Sequence, residues 1–332
     1  MKALVTGANG FLGKYIVEQL LQSGWQVRTL TRNTDADLQK LGVEMQVGDI
    51  RNEDKVVAAC REIDTVFHAA GIAGIWGPWK HFHGVNTIGT KNVLQGCLRH
   101  GVRNLVYTSS PSVVFAGQAH SGVDESVPYP SKWLGHYSHS KALAEQAVLQ
   151  ANGQRGLLTC ALRPHLIWGP RDRHLIPRLL SRAKSGRLRQ VGDGTNRVDN
   201  VYVENAADAH LLADQALAKN PDSRGRAYFI SQGEPVNCWD WINQILQLGG
   251  LPPLDKKISY PLAYAAGAIS EFAYSVLRRQ SEPLMTRFLA AQLAKSHYFD
   301  ISAARDVLGY QPRISFDEGM SRLKIWLESS AS

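Results

Sequence analysis

Thr6-Gly7-Ala8-Asn9-Gly10-Phe11-Leu12-Gly13 lies between an apolar run, Lys2–Thr6, and a helical pattern, Phe11–Leu21. Its glycines fall as G-x-x-G-x-x-G. Between a strand and a helix, that spacing meets three steric demands. The first glycine makes the tight turn, the second lets the backbone approach a pyrophosphate, and the third lets helix pack on strand. The N–H groups at the helix start then face the phosphates. A glycine-rich turn alone need hold nothing, but at the head of a strand–helix–strand unit it marks a dinucleotide site. Gly7, Asn9, Gly10, Phe11, Leu12 and Gly13 are therefore candidate cofactor contacts.

Outward from this turn, strands alternate with helices. Gln26–Thr31, Val43–Val47, Thr65–Ala69, Leu105–Thr108 and Leu158–Arg163 read as strands, with helical patterns near Asn86–Leu98 and over Tyr137–Leu149. This alternation predicts an α/β fold, a Rossmann-type doubly wound parallel sheet with helices on both faces. Beyond Gly169 the pattern changes, with breaks at Gly192-Asp193-Gly194, Leu251-Pro252-Pro253 and Glu282-Pro283. We expect a dinucleotide-binding domain over residues 1–168 and a smaller C-terminal substrate-binding lobe over 169–332, with segments of the second half returning to the sheet.

The end of the second strand bears on the choice of cofactor. An NAD site usually places an acid there for the ribose 2′-hydroxyl. Here the strand ends Arg28-Thr29-Leu30-Thr31-Arg32, without one. Arg32 can pair with a 2′-phosphate, or stand as a solvated loop residue. NADP(H) is the expected cofactor and NAD(H) the second choice. Asp49-Ile50 follows the third strand, where an adenine edge could lie; Asp49 could equally be a capping residue.

Tyr137-Ser138-His139-Ser140-Lys141 sets a tyrosine and a lysine on one face of a helix. An ammonium beside a phenol favours the phenolate, so Lys141 is expected to lower Tyr137 and fit it for proton exchange with a carbonyl or alcohol oxygen. Val106-Tyr107-Thr108-Ser109-Ser110 ends a strand on hydroxyls, at the edge where parallel sheets hold ligands. One of Ser109 and Ser110 can bond the substrate oxygen; the other is turn chemistry.

The 332 residues are 44% hydrophobic and 20% charged, with a net charge of +8. The basic residues are scattered and form no nucleic-acid motif, which favours small anionic ligands and a weak affinity for anionic membrane surfaces. The four cysteines are far apart, so neither a disulfide framework nor a zinc site is expected. The glycine motif stands so near Met1 that no signal peptide is expected, and no apolar stretch is long enough to span a bilayer. The expected setting is the cytoplasm.

In this order, Gly7, Gly10 and Gly13, then His68-Ala69-Ala70-Gly71, then Ser110, then Tyr137 with Lys141 resemble the extended short-chain dehydrogenase/reductase superfamily, over nearly the whole chain. The resemblance implies an NAD(P)-dependent oxidoreductase. It makes Tyr137 the proton donor, Lys141 its partner and a ribose contact, Ser110 the residue that orients the carbonyl, and Ala69, Ala70, Gly71 and Pro164 cofactor neighbours. Within the superfamily the chain looks like the 3β-hydroxysteroid dehydrogenase branch. More closely it is similar to bacterial 2-alkyl-3-oxoalkanoate reductases of long-chain olefin synthesis, on Ala73-Gly74-Ile75-Trp76-Gly77, Pro111-Ser112-Val113, Leu162–Pro170 and Pro283–Leu289.

That likeness implies NADPH-dependent reduction of a hydrophobic 2-alkyl-3-oxo acid to the 3-hydroxy acid. It also implies a complex with a β-lactone synthetase and a β-lactone decarboxylase, and a homo-oligomer is expected. The alternatives are a 3β-hydroxysteroid or 4-carboxysterol 3-dehydrogenase and, further off, a nucleotide-sugar epimerase or dehydratase.

Several features remain for the substrate. Trp76, Trp79 and Phe82 could line its entrance or anchor a loop. Arg197, and less so Arg163, could meet its carboxylate. His165 reads as structural. His81 and His83 read as loop histidines, and no metal is expected. The apolar region 258–299 is expected to form a helical cap. Leu262, Ile269, Phe272 and Val276 share one face of a helix over Leu262–Leu277, and a second helix starts at Pro283. Ile269 and Phe272 are therefore candidate contacts for an alkyl chain, unless the helices merely close the lobe's core.

Overall fold

The computed structural model describes residues 1–279 and 281–331. Seven parallel strands form the central sheet in the order Arg226–Ile230, Leu158–Pro164, Asn104–Thr108, Thr65–His68, Lys2–Thr6, Gln26–Thr31, Glu44–Val47. The order reverses beside Lys2–Thr6, between its neighbours Thr65–His68 and Gln26–Thr31. In a doubly wound sheet a ligand binds in the crevice at that switch point, at the carboxyl ends of the strands.

The expected strands form within a residue of their sequence bounds. The period of two sends Ala3 and Val5 to one face and Leu4 to the other, and the two faces carry separate apolar cores. The seventh strand, Arg226–Ile230, comes from the second half. It pairs with Leu158–Pro164 after the helix Val203–Lys219 has packed across helix Phe11–Gln22. A third core gathers around Trp168, Tyr202, Trp239 and Trp241.

The cap helix forms over Tyr260–Val276, but turned the other way from the sequence expectation. Ile269 and Phe272 are 69% and 72% exposed, and Leu262 and Val276 also face solvent. The inward face is the small one, with Ala263 and Gly267 buried. A Cβ on Gly267 would lie 2.6 Å from the Thr286 carbonyl carbon, so the helix rests directly on backbone. Glu271, on the same face, accepts from the Arg287 N–H at 2.7 Å and from its Nε at 2.6 Å. Close backbone approach and this ion pair outweigh the larger apolar area on the other side. The second helix begins at Arg287 rather than Pro283, capped by Thr286, whose hydroxyl accepts from the Leu289 N–H. Among the described residues, no helix is long and apolar enough to cross a membrane.

Candidate active site

The glycine turn closes at the switch point. Gly7 takes φ +74°, and its carbonyl accepts from the Gly10 N–H at 2.9 Å. A Cβ at Gly13 would fall 2.1 Å from that carbonyl, and one at Gly7 would fall 2.7 Å from Ala70 N. The backbone is thus bare where a pyrophosphate must approach, at the start of helix Phe11–Gln22. The turn opens on a cleft of about 400 Å³ that also meets Ala69, Gly71, Ser110, Tyr137, Lys141 and Pro164. These residues fit a nicotinamide dinucleotide. Asn9 lies at the outer end, near Arg171 and Arg173.

Arg32 stands exposed at the end of the second strand. Asp49 is held in a local turn, accepting from Arg51 N at 2.9 Å and pairing with its guanidinium at 2.6 Å. That pairing holds its carboxyl at about 2. The cap of the next helix is Asn52, not Asp49. Ile50 is buried beneath Gly89. Neither Asp49 nor Ile50 lines the cleft.

Helix His136–Gln150 carries Tyr137 and Lys141 into the cleft. Lys141 Nζ donates to the Thr108 carbonyl and lies 4.2 Å over the Tyr107 ring. Burial pulls its ammonium down to about 7, with Glu145 opposing. Burial also raises Tyr137 above the ordinary phenol value, and a hydrogen bond with Ser110 partly offsets this. The lowering of Tyr137 expected from Lys141 is therefore not what the protein alone provides, because burial dominates. Ser110 is the serine that meets Tyr137. Ser109 is buried with its N–H on the Leu162 carbonyl.

Behind Lys141, one wide π-helical turn, His83–Ile88, leads into helix Gly89–His100. It aims two consecutive side chains at the catalytic helix. Asn86 Nδ2 donates to Ser140 Oγ at 3.0 Å and to the Ile72 carbonyl at 3.1 Å, and Thr87 Oγ1 donates to the Ser140 carbonyl at 2.9 Å. Asn86 was not singled out from sequence. Its signal was a polar residue on the inner face of an apolar helical pattern.

Both candidate arginines are placed elsewhere. Arg163 is buried and closed onto Glu145, with Nη2–Oε1 at 2.7 Å. Arg197 is exposed, donates to the Pro235 carbonyl at 2.8 Å and lies over the Tyr298 ring. Trp76 donates to the Arg279 carbonyl at 3.1 Å and meets the Tyr274 ring edge, so it clasps the C-terminal end of the cap helix. Trp79 packs against His83 and His139, and Phe82 is buried against Tyr137.

Two further cavities meet at Tyr137. One, of about 150 Å³, adjoins Ser110, His165, Phe288, Gln292 and His297. The other, of about 320 Å³, is lined by Ile75, Leu166, Leu179, Trp241, Leu289 and Leu293, with Arg178 and Arg182 also on its wall. Sequence reasoning missed Arg178, Arg182 and His297. The arginines carried an i, i+4 signal on a helix, whereas His297 carried none, because only the fold brings it to His165.

The pattern of the 3-beta hydroxysteroid dehydrogenase/isomerase family matches residues 4–262. The chain is 48% identical to the 2-alkyl-3-oxoalkanoate reductase of Shewanella oneidensis, over 97% of this chain and 85% of that one. It is 34% identical to the sterol-4-alpha-carboxylate 3-dehydrogenase, decarboxylating, of Mus musculus, over 97% and 89%. Among solved structures, MoeE5 in complex with UDP-glucose and NAD superposes with a TM-score of 0.76 at 26% identity, over all of both chains. The cleft at the switch point, with tyrosine and lysine facing it, accords with these likenesses: the chain belongs to the 3-beta hydroxysteroid dehydrogenase/isomerase family and is an extended short-chain dehydrogenase-type oxidoreductase that uses a nicotinamide cofactor.

Proposed function

We propose that the chain reduces a long-chain 2-alkyl-3-oxoalkanoic acid to the 2-alkyl-3-hydroxy acid with NADPH. The observation that carries this reading is the apolar cavity that starts at Tyr137, walled by Leu179, Trp241, Leu289 and Leu293. Alkyl chains gain about 0.8 kcal/mol per buried methylene in such a wall. Arg178 and Arg182 on the same wall share the carboxylate of Glu282, so the two charges of a sugar diphosphate would meet one net positive charge amid apolar side chains. The 48% likeness to an oxoalkanoate reductase supports the same substrate class.

When bound, the nicotinamide supplies the hydride. Ser110 donates a hydrogen bond to the ketone oxygen. Tyr137 gives its proton to that oxygen as the carbonyl carbon is reduced, leaving an alcohol. Lys141, fixed by Thr108, reaches the ribose side of the cleft and supports the proton's replacement. On this reading the 3-hydroxy acid released is what a β-lactone synthetase would consume.

Incubation with NADPH and a panel of 2-alkyl-3-oxo acids, ketosteroids, 4-carboxysterols and nucleotide sugars tests the assignment. Reduction of the oxo acids supports it. Turnover confined to the carboxysterols, with loss of CO₂, would establish the sterol dehydrogenase alternative instead. For the cofactor, Arg32→Ala is expected to weaken NADPH about 10- to 100-fold, the worth of one charged hydrogen bond, and to leave NADH nearly unchanged. Equal losses in Kd for the two cofactors would remove Arg32 from the 2′-phosphate site.

A further inference from the structure

His165 and His297 are 132 residues apart in sequence and meet in the small cavity beside Tyr137. Both are buried, at 7% and 2% exposure. His165 Nδ1 lies 2.7 Å from the Asp199 backbone carbonyl, and His297 Nε2 lies 2.8 Å from the Gln292 backbone carbonyl. Carbonyls only accept, so each of these nitrogens carries a hydrogen. The two remaining nitrogens, His165 Nε2 and His297 Nδ1, face each other at 3.2 Å. In two neutral rings both would present lone pairs. A hydrogen bond there needs a third proton, and the pair then carries one positive charge.

We infer that His165 and His297 share this proton when substrate binds and form a single buried cation that positions the substrate carboxylate beside Tyr137. This inference rests on the oxo-acid reading above. In a 3-oxo acid the carboxylate stands one carbon from the ketone carbon, so a ketone held by Ser110 and Tyr137 brings it within reach of the small cavity that these two residues share with the histidines. Among the described residues no lysine or arginine lines that small cavity, and Lys141 stands on the cofactor side, in the adjoining cleft. Arg178 and Arg182, on the wall of the larger cavity, share Glu282. Burial pushes His165 to about 3 and His297 to about 4, so the empty site lacks the third proton near neutrality. A carboxylate brings the charge that restores it.

Tyr137, His120 and Asp199 face the pair, and on the side of the larger cavity His297 also shares a wall with His174, Arg178, Arg182 and Cys238, the two arginines being paired with Glu282. Tyr137 is raised and neutral. His120 is also held neutral by burial. Asp199 Oδ2 accepts from the Phe299 N–H at 2.7 Å, and burial raises its carboxyl to about 6, so its own titration lies below the neutral and alkaline range in which the test is read. The sign follows: the acid binds together with a proton, so its affinity rises as pH falls, by about tenfold per pH unit while the empty pair is neutral and the loaded pair charged.

The test uses the protein saturated with NADPH, a dead-end complex for the product. The 2-alkyl-3-hydroxy acid and its methyl ester are titrated by calorimetry in buffers of different ionisation enthalpy. The expected result is uptake of about one proton with the acid, none with the ester, and a pH-dependent Kd for the acid alone. His297→Gln keeps a donor for the Gln292 carbonyl. It should abolish proton uptake and weaken the acid at least tenfold more than the ester. Acid binding without proton uptake in the unaltered protein overturns the inference while leaving the oxo-acid reading intact. If neither acid nor ester binds, the substrate reading falls and the inference falls with it.

Discussion

Tyr137→Phe should lower kcat by about 100-fold or more, the usual size of general-acid catalysis, with NADPH still bound. Only the phenolic oxygen is removed. It faces the cleft and bonds Ser110. The apolar edge that Phe82 presents to the ring is kept. Steady-state rates with a 2-alkyl-3-oxo acid, together with a fluorescence titration of NADPH, separate chemistry from binding. A variant retaining more than about a tenth of the rate would remove Tyr137 from the proton-donor role.

The largest effect on stability is expected at Glu145. Its carboxylate is fully buried, closed by Arg163 through Nε and Nη2, and accepts from Tyr129 Oη at 2.6 Å. Glu145→Leu would leave the Arg163 guanidinium buried between the Tyr129 and Phe229 rings without its partner. Breaking such a pair costs about 3–5 kcal/mol. Urea unfolding should show that loss, and the double variant Glu145→Leu/Arg163→Met should recover much of it, because removing both charges removes their desolvation together. A single variant within about 1 kcal/mol of the parent would show that the charge finds water. The pair also has a role in the site, since it ties the catalytic helix to strand Leu158–Pro164, whose last residue lines the cofactor cleft.

What could be read from sequence was what depends on neighbours in the chain. The glycine turn, the alternating strands and the Tyr137–Lys141 spacing are set by steric rules acting over a few residues. The strand Arg226–Ile230 was not located, because nothing local separates a strand that returns to the sheet from one that starts a new layer. The cap helix was legible as a helix and as two-faced. Which face turns inward was not, because periodicity records that faces differ and says nothing of how closely a partner backbone approaches. Gly267 decided that by allowing contact with Thr286. Arg163 and Arg197 were judged by their bidentate charge and, for Arg197, by its place before a strand, whereas their partners, Glu145 and the Pro235 carbonyl, come from distant segments. His297 belongs with these: its meaning lies in the nitrogen opposite it.

The wide turn His83–Ile88 has a cost and a use that pull in opposite directions. Deleting one residue there would restore ordinary α-helical spacing and a better-bonded helix, and would swing the chain before it by about 100° around the axis. Asn86 and Thr87 could then no longer both address Ser140. The shorter chain would gain a better-bonded turn, lose the buried hydrogen bonds of Asn86 and Thr87, and hold its catalytic helix less well. A turn that bonds its own backbone poorly is thus kept by the side chains it aims, so that the local fold and the placement of the catalytic helix stand or fall together.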